Sequence, residues 1–433
     1  MAGYEDFIHL KYKPKRDDLI ASFKIKTPSW ETRKRAAGAV AAESSVGTWS
    51  NVKAARYPGV QKVAAKVFEM KKDGWTKIAY PYNHFEAGNM SQILASIAGN
   101  VFGMKAVAGL RLEDIKWGKK MIKSFPGPHI GRDGIRKIFK VKKRPITLSV
   151  AKPKVGLTTK QHAKVGYEIW TGGLDLLKDD ENLADQRFNP FRRRIKESLR
   201  MRSKAEKQTG EIKSYLANIT GPTVEEMIKR AKFLAKEGNE FAMIDIVTIG
   251  WAAVRSVREA CKDLGLAIHA HRAMHGAITR NPHHGISMTL MAEIARMQGV
   301  DTLHIGTANV GKLVGTEAEV LNIRDHVTLD KVKEDKKLHT LEEDWGGMKP
   351  LFPCTSGGLH PGLLEKVLNK IGSNVMIQMG GGCHGHPHGS HAGAKAVRQA
   401  LDAYLDGVSA DEYAKHHKEL RQALEVWGHR CTK

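Results

Sequence analysis

Four consecutive residues, Lys178-Asp179-Asp180-Glu181, carry the densest chemical potential in the chain. Carboxylates with neighbouring oxygen ligands suit a hard cation such as Mg²⁺. A lysine beside them would repel that cation unless its amine is carbamylated, because a carbamate is an anionic oxygen ligand. Carbamylation needs a neutral amine, which burial and cationic neighbours favour. The same tetrapeptide also makes an ordinary acidic turn with a salt-bridged lysine, and both readings stand at this point. Lys152 and Lys154, in Ala-Lys-Pro-Lys, end the preceding apolar run and are expected at the same place. Three lysines together imply mutual repulsion or an anionic substrate. The segment HAHRAMH supplies His269, His271, Arg272 and His275, and His304 ends the next run. Period-two spacing puts His269 and His271 on one side of a strand; one core histidine plus one helix-capping histidine is the plainer alternative. Ser356-Gly357-Gly358 and Gly380-Gly381-Gly382 could cradle anions with backbone N–H groups. Lys312 sits between Gly311 and Gly315 in a loop able to close over a substrate. Together these residues imply a bisphosphate held at both ends over a metal. The tract His384, His386, His388 and His391 reads either as a transition-metal site or as a glycine-rich loop with incidental histidines.

The elements that must position these groups follow from the apolar pattern. Eight short runs recur beyond residue 127: ITLSVAK, GLDLLKDD, SYLANIT, FAMIDIV, LAIHAHR, TLHIGT, PLFPCTSGG and VMIQMGGG. Helix-like segments such as TVEEMIKRAKFLAKEG separate them. Eight strand–helix units over about 280 residues are what a (β/α)8 TIM barrel requires, with reactive groups at the C-terminal strand ends. The fold class is therefore α/β, a C-terminal barrel preceded by a smaller α+β, ferredoxin-like domain. In the latter, KVAAKVFEM and WTKIAYPYN read as a strand pair about Lys72-Asp73-Gly74, and a helix starts at Met90. The expected divisions are 1–127, 128–412 for the barrel, and 413–433 for a C-terminal helix and tail. The segment EYAKHHKELRQALEVWG after Asp411 predicts one amphipathic helix.

Global numbers narrow the classes. The 433 residues are 41% hydrophobic, enough for large cores. No apolar run approaches the ~20 residues that span a bilayer, and no secretory signal is visible. Four scattered cysteines without a CxxC pair fit free thiols in a reducing cytoplasm. The formal charge of +24 permits nucleic-acid binding or steering of phosphorylated substrates. The basic stretch from Arg192 lacks interleaved aromatic residues, so it reads as a solvated helix face and no nucleic-acid partner is expected.

Read together, the motifs AAESSVGTW from Ala41, KPKVG from Lys152, GGLDLLKDDEN from Gly172, HAHRAMH from His269 and SGGLHPG from Ser356 occur in family order. The sequence resembles the large subunit of ribulose-1,5-bisphosphate carboxylase/oxygenase (RuBisCO), most closely the archaeal form III group, from about Glu43 to Gly428. That resemblance implies carboxylation of ribulose-1,5-bisphosphate, with O₂ competing with CO₂. It implies Lys178 as the carbamylated lysine formed with activating CO₂, and Asp180 and Glu181 as further ligands of one Mg²⁺. Lys152 becomes a proton donor with Lys154 its orienting neighbour, His271 a proton carrier and Lys312 the lid lysine. Arg272, His304 and Ser356 match one phosphate site; Gly358, Gly380 and Gly381 match the other, with Thr48 and Trp49 also assigned to substrate phosphate. Glu43, Thr48, Trp49 and Asn100 are similar to residues the family supplies from a neighbouring subunit. The resemblance thus implies a homodimer as minimal unit, larger assemblies of dimers left open, with no small subunit and no membrane partner. Form III resemblance favours nucleotide-ribose (AMP) salvage as the role.

The chain departs from the family at several points. Val314 stands where the family usually has Glu, Cys383-His384 replace the more usual Thr-Leu, Val150 replaces a plant-type Thr, and Val46 replaces a common Thr. None removes a metal ligand, a proton-transfer lysine or the phosphate arginine. The nearest alternative is a RuBisCO-like enolase, isomerase or decarboxylase acting on a related sugar phosphate without CO₂ fixation. An amidohydrolase-type barrel would place its HxH pair before the lysine, whereas here it follows.

Overall fold

A computed structural model describes residues 3–50, 52–313 and 315–432. Val314 lies outside the described residues. The chain forms two compact units: one comprises residues 1–127, 274–298 and 329–348, the other 128–273, 299–328 and 349–433.

The first unit is built on four antiparallel strands: β1 (Leu19–Lys26), β2 (Lys66–Met70), β3 (Trp75–Tyr80) and β4 (Gly109–Lys116), in spatial order β4-β1-β3-β2. A two-residue strand, Gly285–Ile286, extends the sheet in parallel beside β4. The order and the helices Arg33–Glu43 and Met90–Ile97 make the α+β unit ferredoxin-like. The β2–β3 turn closes at Gly74, whose φ of +98° puts it in the region glycine tolerates best. Alternate β1 residues Leu19, Ala21, Phe23 and Ile25 are buried, the period-two pattern of a strand with one core face.

The second unit is a closed parallel barrel of β5 (Ile146–Val150), β6 (Leu176–Lys178), β7 (Ser214–Asn218), β8 (Phe241–Asp245), β9 (Ala267–His271), β10 (Thr302–His304), β11 (Phe352–Ser356) and β12 (Met376–Gln378). Spatial order equals sequence order, and β12 pairs back onto β5 through Met376–Ile146. All eight strands fall within the eight apolar runs of the sequence. Leu148, Leu176, Leu216, Met243, Phe352 and Met376 fill the interior, and Ile135 and Phe139 of helix Gly131–Phe139 pack into the same cluster. The Asp301 carboxylate fixes that helix by accepting from the N–H groups of Ile130 and Gly131, both at 2.7 Å, and from Ile268 at 2.8 Å.

The C-terminal segment differs from the single helix expected. It forms two helices, Ala410–Ala414 and Lys418–Trp427. The His417 ring stacks on Tyr413 at 3.8 Å and its Nδ1 lies 2.8 Å from the Tyr413 carbonyl oxygen. His417 itself has extended backbone (φ −127°, ψ 96°), which interrupts the helical ladder. Among the described residues no helix is long and apolar enough to cross a membrane.

Candidate active site

The reactive groups of the second unit gather where its parallel strands end, because the chain leaves every strand on the same side. β6 is only three residues long and ends on Lys178, which is completely buried. Its Nζ donates to the Asp179 carbonyl oxygen at 2.8 Å and lies 3.8 Å from Glu181 Oε2. Burial pushes the Lys178 ammonium below its ordinary range, against the pull of the Glu181 and Asp180 carboxylates. Asp180 Oδ2 accepts from Lys152 Nζ at 2.8 Å, and its Oδ1 accepts from Asn182 Nδ2 at 2.8 Å. Burial alone would raise Asp180, but the Lys152 and Asn182 bonds outweigh it and hold the carboxyl low. Glu181 behaves alike: His271 and Lys178 overcome desolvation and keep it ionised.

These donors fit a hard dication. Two ionised carboxylates flank an amine that burial favours in its neutral form, and that amine has a single close hydrogen-bond partner. Lys178, Asp180 and Glu181 are the residues that would hold it.

Asp179 has a different task. Its carboxylate is buried and accepts from Tyr215 OH and from Asn218 N at 2.9 Å. Arg194 Nη2 lies at 3.3 Å and His162 Nε2 at 3.3 Å. Desolvation alone would raise its pKa, yet Arg194 and His162 bring it down to about 2. The tetrapeptide therefore splits: Asp179 anchors the strand end in a buried network, while Asp180 and Glu181 stay with Lys178 and Lys152.

His271 is oriented by a residue the motif reading overlooked. Its Nδ1 lies 2.8 Å from Asp245 Oδ1, and Nε2 is 3.6 Å from Glu181 Oε2. Ala273 N also approaches Nδ1, at 3.2 Å, so the ring is held between that backbone N–H and the Asp245 carboxylate, with Nε2 turned towards Glu181. Asp245 is the acidic last residue of β8, a strand-end signal present in FAMIDIV. Asp245→Asn should lower turnover about 100-fold, because the imidazole loses the carboxylate that orients it. Steady-state kinetics beside a thermal melt check this, with an unchanged melting temperature expected.

His269 and His304 are buried neighbours. His269 Nε2 lies 3.0 Å from His304 Nε2, and His269 Nδ1 lies 2.5 Å from Thr302 Oγ1. His304 Nδ1 is 2.7 Å from Ser356 Oγ. Burial pushes both imidazoles well below their ordinary range, with their mutual proximity and Lys178 adding to the effect on His304. They are uncharged at neutral pH and pass the position of Thr302 through to Ser356. Half-buried Arg272 makes no ion pair among the described residues; burial lowers its guanidinium to about 10, against the pull of Glu319.

The glycine loops meet the lysine loop. Lys312 N donates to the Gly357 carbonyl oxygen at 3.0 Å, while its side chain is exposed. A Cβ on Gly311 would lie 1.9 Å from that same carbonyl oxygen, so only glycine permits the approach. Gly358 has φ of +74°. Gly380 packs on the end of β5, where a Cβ would come within 2.9 Å of Val150 Cγ1 and 3.4 Å of Lys152 Cε. Gly381 is exposed at the same loop. Lys154 is exposed and makes no hydrogen bond or ion pair among the described residues.

Glu43, Thr48, Trp49 and Asn100 belong to the first unit. Asn100 Nδ2 donates to Glu43 Oε1 at 3.2 Å. Trp49 is 81% exposed, unusual for so large an apolar side chain.

A closed parallel barrel with these ionisable groups at its strand ends is a TIM-barrel enzyme. Family models narrow the class: "Ribulose bisphosphate carboxylase large chain, catalytic domain" matches residues 133–427, and the corresponding N-terminal domain matches residues 6–121. The chain belongs to the ribulose bisphosphate carboxylase large-chain family. The ribulose bisphosphate carboxylase of Methanosarcina acetivorans is 48% identical over 98% of this chain and 99% of its own. That of Methanocaldococcus jannaschii is 47% identical over 98% and 100%. Among solved structures, the dimeric archaeal Rubisco from Hyperthermus butylicus has a TM-score of 0.93 at 46% identity, covering 98% of this chain and 99% of that one. The octameric enzyme from Pyrococcus horikoshii has a TM-score of 0.91 at 46% identity, covering 99% and 98%.

Proposed function

We propose that this chain carboxylates ribulose-1,5-bisphosphate, CO₂ and water giving two molecules of 3-phosphoglycerate, with O₂ as competitor. The observation that carries the reading is the completely buried Lys178 beside Glu181, with Lys152 on the adjoining Asp180. In this reading the neutral Lys178 amine takes up CO₂ as a carbamate and, with Asp180 and Glu181, holds Mg²⁺. When bound, the cation supplies Lewis-acid polarisation of the sugar's oxygens.

The remaining steps belong to side chains. A carbamate oxygen on Lys178 removes the C3 proton of the sugar. His271, oriented by Asp245, moves protons during hydration. Lys152 Nζ delivers the proton to the carbanion left by carbon–carbon cleavage, and Lys154 supports its orientation. Lys312 brings an ammonium to the new carboxylate as its loop excludes water. Arg272, His304 and Ser356 grip one phosphate; Gly358, Gly380 and Gly381 grip the other together with Thr48 and Trp49. Glu43, Thr48, Trp49 and Asn100 reach the site of a second copy, so the working unit is a homodimer or an assembly of dimers without a small subunit. The dimeric and octameric assemblies named for its structural relatives support this. We place the enzyme in the cytoplasm, in nucleotide-ribose (AMP) salvage, on its form III resemblance.

The deciding assay preincubates the protein with bicarbonate and Mg²⁺, then adds ribulose-1,5-bisphosphate and labelled CO₂. Labelled 3-phosphoglycerate is expected. An isomerised sugar phosphate without label would favour an enolase or isomerase instead.

Activation should depend on pH with a definite sign. Carbamylation needs the neutral amine, and the buried Lys178 loses its proton at lower pH than an ordinary lysine. The activation rate at fixed dissolved CO₂ should therefore rise with pH and level off below the ordinary lysine value of 10.5. Stopped activation assays across a pH series measure it; a rate still climbing steeply past that value would contradict the assignment.

A further inference from the structure

The histidine tract takes no part in the proposed mechanism, and the structure divides it. Buried His386 places Nε2 3.0 Å from the Glu419 carbonyl oxygen, exposed His388 meets Gln422 at 2.8 Å, and His391 is exposed. His384 is placed differently. Its Nε2 lies 2.9 Å from Ser149 Oγ and its Nδ1 lies 2.9 Å from Ser390 Oγ. Ser149 donates its one hydroxyl proton to the Met379 carbonyl oxygen at 2.6 Å, so it can only accept from the imidazole. Nε2 therefore carries the proton, and Nδ1 accepts from Ser390. One tautomer satisfies all three bonds. Burial, with Lys152 and His162 adding to it, lowers the imidazole to about 4, so this neutral form persists across the physiological range.

The two ends of this bridge lie on functionally different elements. Ser149 is buried in β5, three residues before Lys152. His384 closes the turn that begins at Gly380, and its own N–H donates to the Gly380 carbonyl oxygen at 3.0 Å. A Cβ on Gly380 would meet Val150 and Lys152, so the turn starts close against the β5 end, where Met379 already bonds Leu148 and Ser149. The imidazole adds a second tie from the far end of the turn.

We propose that His384 is a positioning residue that, through Ser149 and Ser390, pins the Gly380–Gly382 loop to the end of β5 and so fixes the phosphate-binding backbone relative to Lys152. This rests on the functional reading above, in which that loop grips a substrate phosphate. A misplacement of about 1 Å at such a site is enough to cost tenfold or more.

The test compares the full-length wild type with His384→Leu, Ser149→Ala, the double variant and His384→Gln, using ribulose-1,5-bisphosphate as the varied substrate. His384→Leu and Ser149→Ala should each raise KM about tenfold while kcat falls less than about threefold. The double variant should be no worse than Ser149→Ala, which removes the shared bridge together with the Ser149–Met379 bond. His384→Gln, whose amide nitrogen can reach Ser149, should recover most of the KM. Should His384→Leu fail to fold, Ser149→Ala carries the comparison, since it removes one small hydroxyl. Unchanged KM in the folded variants, a loss confined to kcat, or multiplying effects in the double variant would each overturn the proposal. A wild type that neither fixes labelled CO₂ nor turns over the bisphosphate would sink the functional reading itself, and this inference with it.

Discussion

Lys178→Met is expected to reduce CO₂ fixation at least about 1,000-fold while leaving the barrel folded. Methionine fills nearly the same volume as the lysine stem, so the packed end of β6 keeps its shape. What disappears is the amine, and with it the carbamate that would hold the cation and take the C3 proton. The variant sacrifices one hydrogen bond, from Nζ to the Asp179 carbonyl oxygen, but no longer buries an ionisable group. Its thermal midpoint should therefore match the wild type or exceed it. This pairing separates the two readings of the Lys-Asp-Asp-Glu segment. A lysine that served only as the salt-bridged member of an acidic turn would lose stability and keep activity when replaced. Labelled CO₂ incorporation and a thermal melt on the same preparation decide between them.

Asp179→Ala should have the largest effect on stability, about 3–5 kcal/mol. The carboxylate is the counter-charge of Arg194, and both side chains are completely inaccessible to solvent. Arg194 also donates to the Asn189 and Ala184 carbonyl oxygens, but its Nε already lacks a partner. Removing Asp179 leaves a buried guanidinium without its anion, and deprives Tyr215 and His162 of their shared acceptor. The acid limb carries a second signature. Asp179 titrates at about 2 when folded, against 3.8 when unfolded, so its ionisation contributes stability present above pH 4. That contribution, roughly 2 kcal/mol, is lost as pH falls towards 2. Denaturant titrations at pH 7 and pH 3 should show the gap between wild type and Asp179→Asn narrowing at the lower pH.

The barrel was legible because each strand announces itself twice, by a short apolar run and by the polar or glycine residue that ends it. Lys178, His271, His304 and Ser356 were found that way. Asp245 sits inside the run FAMIDIV, two residues before its end, and a lone carboxylate without a neighbouring motif gives no hint that it faces a histidine on the next strand. Asp179 could not be told from Asp180 by sequence, since only the direction of each side chain decides which enters the Arg194 network. The histidine tract divides by direction, which spacing does not reveal: His384 bonds Ser149 of β5, whereas His386 and His388 both meet the helix Lys418–Trp427, at the Glu419 carbonyl oxygen and at Gln422. The terminal segment failed locally, because an unbroken apolar stripe does not reveal that His417 prefers to stack on Tyr413.

The contact between Gly311 and Gly357 has a consequence for descent. The two glycines are 46 positions apart in the sequence, but the space between them accommodates no added carbon. Neither loop can drift alone: a side chain at Gly311 must await a shift of the Gly357 backbone, and that shift displaces the loop bearing Ser356. Lineages exploring new sequences around Lys312 are thus channelled to change the residues after Gly311 and leave Gly311 itself untouched. Diversity in this corner of the molecule should accumulate on one side of a single residue.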